Sequence, residues 1–175
     1  SLPSVTWRML NAGVASSKST SAQIDDQCGI LEAWSEVDCK LAELNGNVKS
    51  FRLSEAMAFI EAMNQEMQQT FFYGNGAAAP EEFNGFTTRY YTRTVATSAV
   101  AGNVIHGGSA DTDNSSVWLI VWGANAITGI FPKGSKAGLN HEDFGEVTME
   151  TTAGVGGTRM RVYQERWVWE AGLAV

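Results

Sequence analysis

The segment 129–136 contains the residue types of a phosphate-binding loop, in which backbone N–H groups and a lysine hold the phosphates of a nucleotide. That chemistry requires a lysine directly after the second glycine, because only there does it reach the terminal phosphates. Here Ser135 follows Gly134, and Lys136 comes one position too late. Pro132 also removes one of the N–H donors. The mismatch predicts a loop between two strands and no nucleotide cofactor.

The tripeptide His141-Glu142-Asp143 could supply a general base for hydrolysis, since histidine and carboxylates are the common proton acceptors in such sites. A solvated acidic loop accounts for the same residues. No Gly-x-Ser-x-Gly elbow accompanies them, and neither cysteine has the local setting of a nucleophile. A hydrolase using Glu142 or Asp143 therefore ranks last among the functions considered, and no catalytic residue is predicted.

Patterns that ligate metals are incomplete. Asp111 and Asp113 resemble the start of a calcium loop, but the glycine at the sixth position and the closing glutamate are missing. His106 and His141 are the two histidines, and neither has a second His or Cys at ligand spacing. The sequence predicts no metal and no other cofactor.

The six tryptophans suggest recognition more than catalysis. Trp167 and Trp169 point to the same side of a predicted strand, because alternate residues share a face. They could form a core, an interface anchor or a sugar-stacking platform, which makes a β-rich carbohydrate-binding module the alternative function. Trp7 and Trp34, with Met9, lie in an N-terminal part that has little local core to cover them. These three are predicted to contact another chain.

Composition excludes several classes of protein. The chain has 175 residues, 44% of them hydrophobic, which predicts one folded domain or at most two. Its net charge of −7, from 19 acidic and 12 basic residues without a basic run, argues against sequence-specific nucleic-acid binding. No apolar stretch approaches the roughly 18 residues of a membrane span.

Cellular location is inferred from the cysteines and the N-terminus. Cys28 and Cys39 are too few for a disulfide framework and fit a reducing compartment. The first residues lack the basic flank and apolar core of a secretion signal, so cytosolic synthesis is expected. Because the chain opens on Ser1, we expect an initiator residue or a longer leader to be missing.

The elements that must position these residues are mostly strands, with one long helix between two strand-rich parts. A turn follows the first strand at residues 11–13. A short helix is predicted over 38–44, closed by a turn at Asn45-Gly46-Asn47. Residues 117–122 form a continuous apolar run typical of a strand covered on both faces. The last two strands flank a glycine turn at 154–157 and predict a hairpin. The predicted strands cover residues 5–10, 28–36, 117–122, 145–151 and 159–169. This segregation of helix and strands predicts an α+β fold.

The long helix is predicted over residues 54–73. Its apolar residues recur every three or four positions and predict one packing face. That face comprises Leu53, Met57, Ile60, Met63, Met67 and Phe71. Ser54 is the predicted N-terminal cap, and Gly74-Asn75-Gly76 is predicted to end the helix.

Several ordered motifs along nearly the whole chain are similar to those of tailed-bacteriophage major capsid proteins, in particular a podovirus-like branch. They are Trp7-Arg8, Cys28-Gly29, Glu36-Val37-Asp38, Phe51-Arg52-Leu53-Ser54-Glu55, Phe72-Tyr73-Gly74-Asn75, Pro80-Glu81-Glu82-Phe83-Asn84-Gly85-Phe86, Val117-Trp118-Leu119-Ile120-Val121-Trp122-Gly123 and Gly129-Ile130-Phe131-Pro132-Lys133-Gly134-Ser135.

The resemblance implies the Hong Kong 97-type capsid fold. Residues 1–50 would be the N-terminal region and an extended β-hairpin loop that lies across a neighbouring subunit. Residues 51–100 would form the peripheral domain with its spine helix (54–73), and residues 101–175 the first part of the axial domain. Such proteins are usually longer, so the resemblance also implies that the chain is C-terminally incomplete.

The implied function is that of a non-enzymatic major capsid (head) protein. It would be made in the host bacterial cytoplasm and would assemble with itself into homo-pentamers and homo-hexamers of an icosahedral virion shell that encloses the DNA genome. Scaffold, portal and decoration proteins are the other implied partners, and no membrane is among them.

Overall fold

The computed structural model describes residues 3–21, 23–44, 46–93, 99–107, 115–124, 126–151 and 157–175. The calcium-loop-like residues 111–114 and most of the predicted turn 154–157 lie outside these ranges. The chain forms two compact units. The N-terminal unit consists of Ser1–Asp25 and Tyr90–Asn114, and the helix–sheet unit of Asp26–Arg89 and Ser115–Val175.

In the N-terminal unit, the predicted strand at residues 5–10 is wrong. These residues carry no regular secondary structure and pair with no strand in the described part of the chain, and a strand needs a partner for its backbone hydrogen bonds. The predicted turn is present, since the Ala12 N–H donates to the Met9 carbonyl (3.1 Å). Asn11 has a φ of 64°, a conformation that asparagine tolerates well. A short 3-10 helix spans Ala99–Asn103.

The described part of the helix–sheet unit contains an antiparallel four-stranded sheet centred on the last strand. Strand β4 (Arg159–Ala174) pairs with β1 (Cys28–Asp38) along one edge. On its other edge it pairs with β3 (Leu139–Glu150) and, near its end, with β2 (Thr128–Ile130). The predicted hairpin is therefore confirmed as β3 and β4, although both strands are longer than predicted.

A β-bulge interrupts the pairing of β3 with β4. The register shifts between Asp143 and Gly145, which leaves Phe144 as the extra residue. Gly145 has a φ of 70°, in the left-handed region that favours glycine. The bulge therefore sets Phe144 apart from the regular alternation of the strand.

Helix α1 (Cys39–Glu43) follows β1 directly. Asp38 caps it, because its carboxylate accepts the Lys40 N–H at 2.8 Å. The predicted strand and short helix in this region are thus confirmed within about two residues.

The long helix α2 spans Val48–Tyr73, six residues longer at its start than predicted. Asn47 is the cap, and Ser54 is not: the Asn47 side chain accepts the Ser50 N–H at 3.1 Å. The predicted end is confirmed, since the Gly74 N–H donates to the Thr70 carbonyl (2.8 Å). Gly46 and Asn47, which belong to the predicted turn after α1, thus lead directly into α2.

Replacing Asn47 with alanine removes this capping bond from α2. We expect a loss of about 1 kcal/mol in the free energy of unfolding, measured by urea denaturation. The variant Ser54→Ala is the control, and it should change stability by less than about 0.5 kcal/mol because it lies inside the helix and is exposed. Equal losses in both variants would contradict the capping assignment.

The face of α2 that packs within the chain differs from the predicted one in its N-terminal half. Arg52 and Phe59 contact β4, and Met63 and Met67 are buried further along. Two members of the predicted face stay exposed within this chain. They are Leu53 (63% exposed) and Met57 (64%). The helix carries two adjacent apolar stripes, so its spacing alone does not decide which one faces the sheet. Ile60 is half-buried, and Phe71 packs edge-on against Phe83 with ring centres 5.3 Å apart.

Close backbone packing follows the end of α2. The Gly85 N–H donates to the Gly74 carbonyl (2.9 Å), and a side chain at Gly85 would lie only 2.6 Å from the Thr70 carbonyl oxygen. The Thr88 hydroxyl also donates to the Gly74 carbonyl at 2.7 Å. Helix α3 (Phe86–Arg89) begins there and carries the buried Phe86 into the core.

The predicted strand at residues 117–122, covered on both faces, is wrong for this chain. Trp118 packs near Phe86, with ring centres 5.6 Å apart. Val117 and Leu119, however, are 96% and 94% exposed. Apart from an isolated bridge between Trp122 and Ile127, the segment belongs to no strand of the described residues. One face of the segment 117–122 is therefore exposed to solvent, although its apolar composition predicts burial on both faces.

Candidate subunit interface

The residues considered for hydrolysis lie on β3 and not in a loop, and each faces a charged partner. Glu142 pairs with Arg166 (3.2 Å), and Asp143 pairs with Arg52 (2.7 Å). His141 Nε2 lies 3.1 Å from a carboxylate oxygen of the buried Glu165. The two carboxylates are thus held in ion pairs and the histidine in a polar contact, which accounts for the three residues without a reaction.

The pKa of Asp143 also favours a role in an ion pair over a role in hydrolysis. Burial alone would raise its pKa, but hydrogen bonds from Arg52 and from the Gly145 N–H outweigh burial and hold the pKa below its ordinary value. A general base at neutral pH needs a pKa near the working pH, and this shift goes in the opposite direction.

Trp167 is part of the core, which is one of the three roles that the sequence leaves open, and this excludes the alternative of a sugar-stacking platform on its ring. It is 2% exposed and lies between two rings. Phe59 of α2 stacks at 5.3 Å between ring centres, and His141 stacks at 5.0 Å. Trp169 is half-buried, opposite Leu31 of β1 in the sheet register. A sugar cannot stack on a ring that is already covered, so core packing is the role of Trp167.

The face of the sheet opposite α2 carries an exposed aromatic pair. Trp34 on β1 stacks on Phe144 of the bulge, with ring centres 5.6 Å apart and planes 12° from parallel. The two side chains are 46% and 48% exposed. The Arg166 guanidinium lies 5.6 Å from the centre of the Trp34 ring. We call Trp34, Phe144 and Arg166 the outer aromatic patch.

Charged groups fix the geometry of this patch. Arg166 pairs with Glu32 at 2.8 Å, and the Trp34 indole N–H donates to the same carboxylate. Two hydrogen bonds lower the pKa of Glu32: the one from Arg166 has the larger effect and the one from Trp34 the smaller. The Glu32 carboxylate therefore stays charged. An aromatic pair held beside an arginine has the composition enriched at the centres of protein interfaces.

Sequence reasoning named Trp34 but missed Phe144 and Arg166. The bulge brings Phe144 to the ring, and Gly145 in the sequence was a weak signal of it. Arg166 is recognisable only once the register is known, because it lies opposite Trp34 on β4.

The two other predicted interface residues are in the N-terminal unit. Trp7 is fully exposed, and Met9 is 82% exposed. Their neighbours Val5 and Leu10 are exposed as well, at 89% and 96%. Contiguous exposed apolar side chains on this scale mark surfaces that are covered in a complex.

Residues 1–175 match the family model of the major capsid protein GP7. The chain belongs to this major capsid protein family. It is also similar to a chain in the near-atomic-resolution structure of bacteriophage Epsilon15, derived from cryo-EM and modeling. The sequence identity is 27% and the TM-score 0.63, with 99% of this chain and 51% of that chain covered.

The capsid chain thus spans about half the length of the solved chain that it matches. No curated protein matches it. The predicted α+β capsid fold and the resemblance to phage capsid proteins are confirmed by these two findings. Among the helices in the described ranges, none is long and apolar enough to cross a membrane. No group of three potential metal ligands occurs among the residues described in the capsid chain.

Proposed function

We propose that this chain is part of a major capsid subunit that assembles with itself into pentamers and hexamers of an icosahedral phage shell. The match of all 175 residues to the major capsid protein family carries the proposal. In this role the chain is not an enzyme. It is made in the host bacterial cytoplasm, resides in the virion, encloses the DNA genome, and has scaffold, portal and decoration proteins as further partners.

Exposed apolar side chains also support the proposal. Trp7, Met9 and the outer aromatic patch around Trp34 present large apolar side chains to solvent in the single chain. Self-association would remove this surface from water, and closed symmetry repeats each contact many times. Individually weak contacts then add up to a stable lattice.

For the assembled subunit we propose the division that the capsid resemblance implies. Residues 51–100 form the peripheral part around α2, and residues 101–175 begin the axial part. Of residues 1–50, only the stretch before β1 reaches over a neighbour, because β1 and α1 belong to the helix–sheet unit of their own chain. The net charge of −7 agrees with a container, because a strongly basic wall would adhere to the enclosed DNA.

Electron microscopy of the full-length protein tests the function. After expression and purification, negative staining is expected to show closed shells or rings of five and six subunits. A protein that stays monomeric at high concentration, with or without its scaffold, would contradict the proposal.

Trp34→Ala is expected to impair assembly while leaving the subunit folded. Truncating a central interface aromatic typically costs about 2 kcal/mol or more per contact. We therefore expect the fraction of protein that sediments as shells to fall at least about tenfold at limiting concentration. Trp34→Phe, which keeps a ring on Phe144, is the control and should retain most of the assembly. A Trp34→Ala subunit that unfolds but still assembles would overturn the interface assignment.

A further inference from the structure

A groove in the helix–sheet unit lies between β1, α2 and the loop that follows α2. Its apolar floor consists of Leu31, Met67 and Phe83, and Ile30, which is 63% exposed, lies at its margin. The groove is half-open to solvent, and its volume is about 250 Å³. Pockets for small molecules usually have roughly 300–1,000 Å³, so this groove matches one large side chain of a polypeptide better than a metabolite.

The rim of the groove is acidic. Glu66, Glu81 and Glu82 line it, and no lysine or arginine does. In the part of the chain that the structure describes, none of the three carboxylates forms an ion pair. An occupant with a cation next to an apolar anchor would complement this surface.

The walls of the groove are fixed before anything binds. A side chain at Gly29 would lie 2.8 Å from the Glu81 carbonyl oxygen, so β1 and the loop are already in close backbone contact. The Gln27 amide donates to the Glu82 carbonyl and ties the two walls together. A preformed site loses little conformational entropy on binding.

The N-terminal segment of the chain has the complementary properties. Residues 3–21 contain Arg8 and Lys18 and no acidic residue, since the first carboxylate is Asp25. Arg8 directly follows Trp7, which is fully exposed. Arg8 donates to the Ala12 carbonyl at 3.4 Å and forms no ion pair among the described residues.

We propose that residues 5–10 of a second copy of this chain bind in the groove, with Trp7 on the apolar floor and Arg8 paired to the glutamates of the rim. This inference rests on the proposed self-assembly and identifies the receptor for one of its anchors. We assign the occupant to another copy because the proposed function is self-assembly, in which a neighbouring subunit would cover the exposed Trp7. A tryptophan in a pocket with a charged rim is the typical composition of an interface hot spot.

Charge reversal in the full-length protein tests the pairing. Arg8→Glu alone and the double variant Glu81→Lys/Glu82→Lys should each reduce the yield of sedimenting shells about tenfold or more, because like charges then meet. Combining all three changes should restore most of the yield. Lys18→Glu is the matched control within the same segment and should have little effect. Losses that simply add in the triple variant would overturn the pairing.

Cross-linking decides which copy supplies the segment. In a Cys28→Ser background, Thr6→Cys and Ile30→Cys at the exposed margin of the groove are joined by a short bismaleimide, while the buried Cys39 stays protected. We expect covalent dimers and longer ladders, and at least about tenfold less product from the control pair Ser19→Cys/Ile30→Cys. A cross-link within one chain would overturn the inference. Shells that form without cross-links would overturn the docking alone and leave the capsid function standing.

Discussion

Replacing Trp167 with alanine is expected to destabilise the subunit by about 3–5 kcal/mol, the usual cost of removing a buried tryptophan. The ring is 2% exposed and lies between Phe59 of α2 and His141 of β3. Its removal leaves a cavity at the contact between helix and sheet, into which the surrounding side chains relax only in part. The midpoint of urea unfolding of the unassembled full-length protein measures the loss.

Trp34→Ala is the matched control for this prediction. Trp34 lies on the neighbouring strand, opposite Arg166 in the register, and therefore on the other face of the sheet from Trp167. With 46% of its surface exposed, its replacement should lower the free energy of unfolding by only about 1 kcal/mol. Equal destabilisation by the two variants would contradict the assignment of one tryptophan to the core and the other to the surface.

Replacing Arg52 with methionine is expected to cost about 3 kcal/mol of stability, because it leaves a buried carboxylate without its cation. Arg52 Nε donates to Glu165 Oε1 at 2.8 Å, and the Glu165 side chain is 9% exposed. The same guanidinium contacts Asp143 at 2.7 Å and lies 4.9 Å from the centre of the Tyr163 ring. Methionine retains part of the apolar stem of the arginine side chain, so the loss of stability comes mainly from the loss of the charge.

Two further variants separate charge from packing. Lys49→Met, one helical turn earlier and exposed, should change stability by less than about 0.5 kcal/mol. Adding Glu165→Gln to Arg52→Met removes the uncompensated charge, so the double variant should be more stable than Arg52→Met alone. A double variant whose losses are additive would show that the ion pair is not the source of the effect.

Acid should reduce the contribution of Arg52. The pKa of Asp143 is lowered in the folded state, so its stabilising effect is present above the ordinary pKa of an aspartate, about 3.9, and is lost as the pH falls through the lower folded value. The stability difference between wild type and Arg52→Met should therefore shrink below about pH 4. A difference that grows in acid would contradict the role of Asp143.

The parts of the fold that sequence predicts well are set by local chemistry. The end of α2 is marked by Gly74, whose backbone packs where a side chain would not fit, and the turn into α1 is marked by the Asp38 cap. The start of α2 is less clear because Asn47, part of the turn signal after α1, is also the cap. Because one residue suits both a turn and a helix cap, the predicted start of α2 is six residues later than the observed start at Val48.

The parts that sequence predicts poorly depend on contacts between distant residues. Trp34 and Trp167 have the same side chain, and only the register of β1 on β4 assigns them to opposite faces. The apolar run 117–122 has the composition of a buried strand, yet its cover on one face is absent from the described chain. Leu53 and Met57 likewise form a helix stripe that this chain leaves exposed. Such surfaces are expected where burial is completed by another chain.

A cryo-EM reconstruction of shells assembled from the full-length protein tests the central claim most directly. We expect closed particles in which neighbouring copies cover Trp7 and the outer aromatic patch. Particles in which both Trp7 and Trp34 face solvent would contradict the interface assignment. A protein that forms no shell under any assembly condition would contradict the capsid function itself.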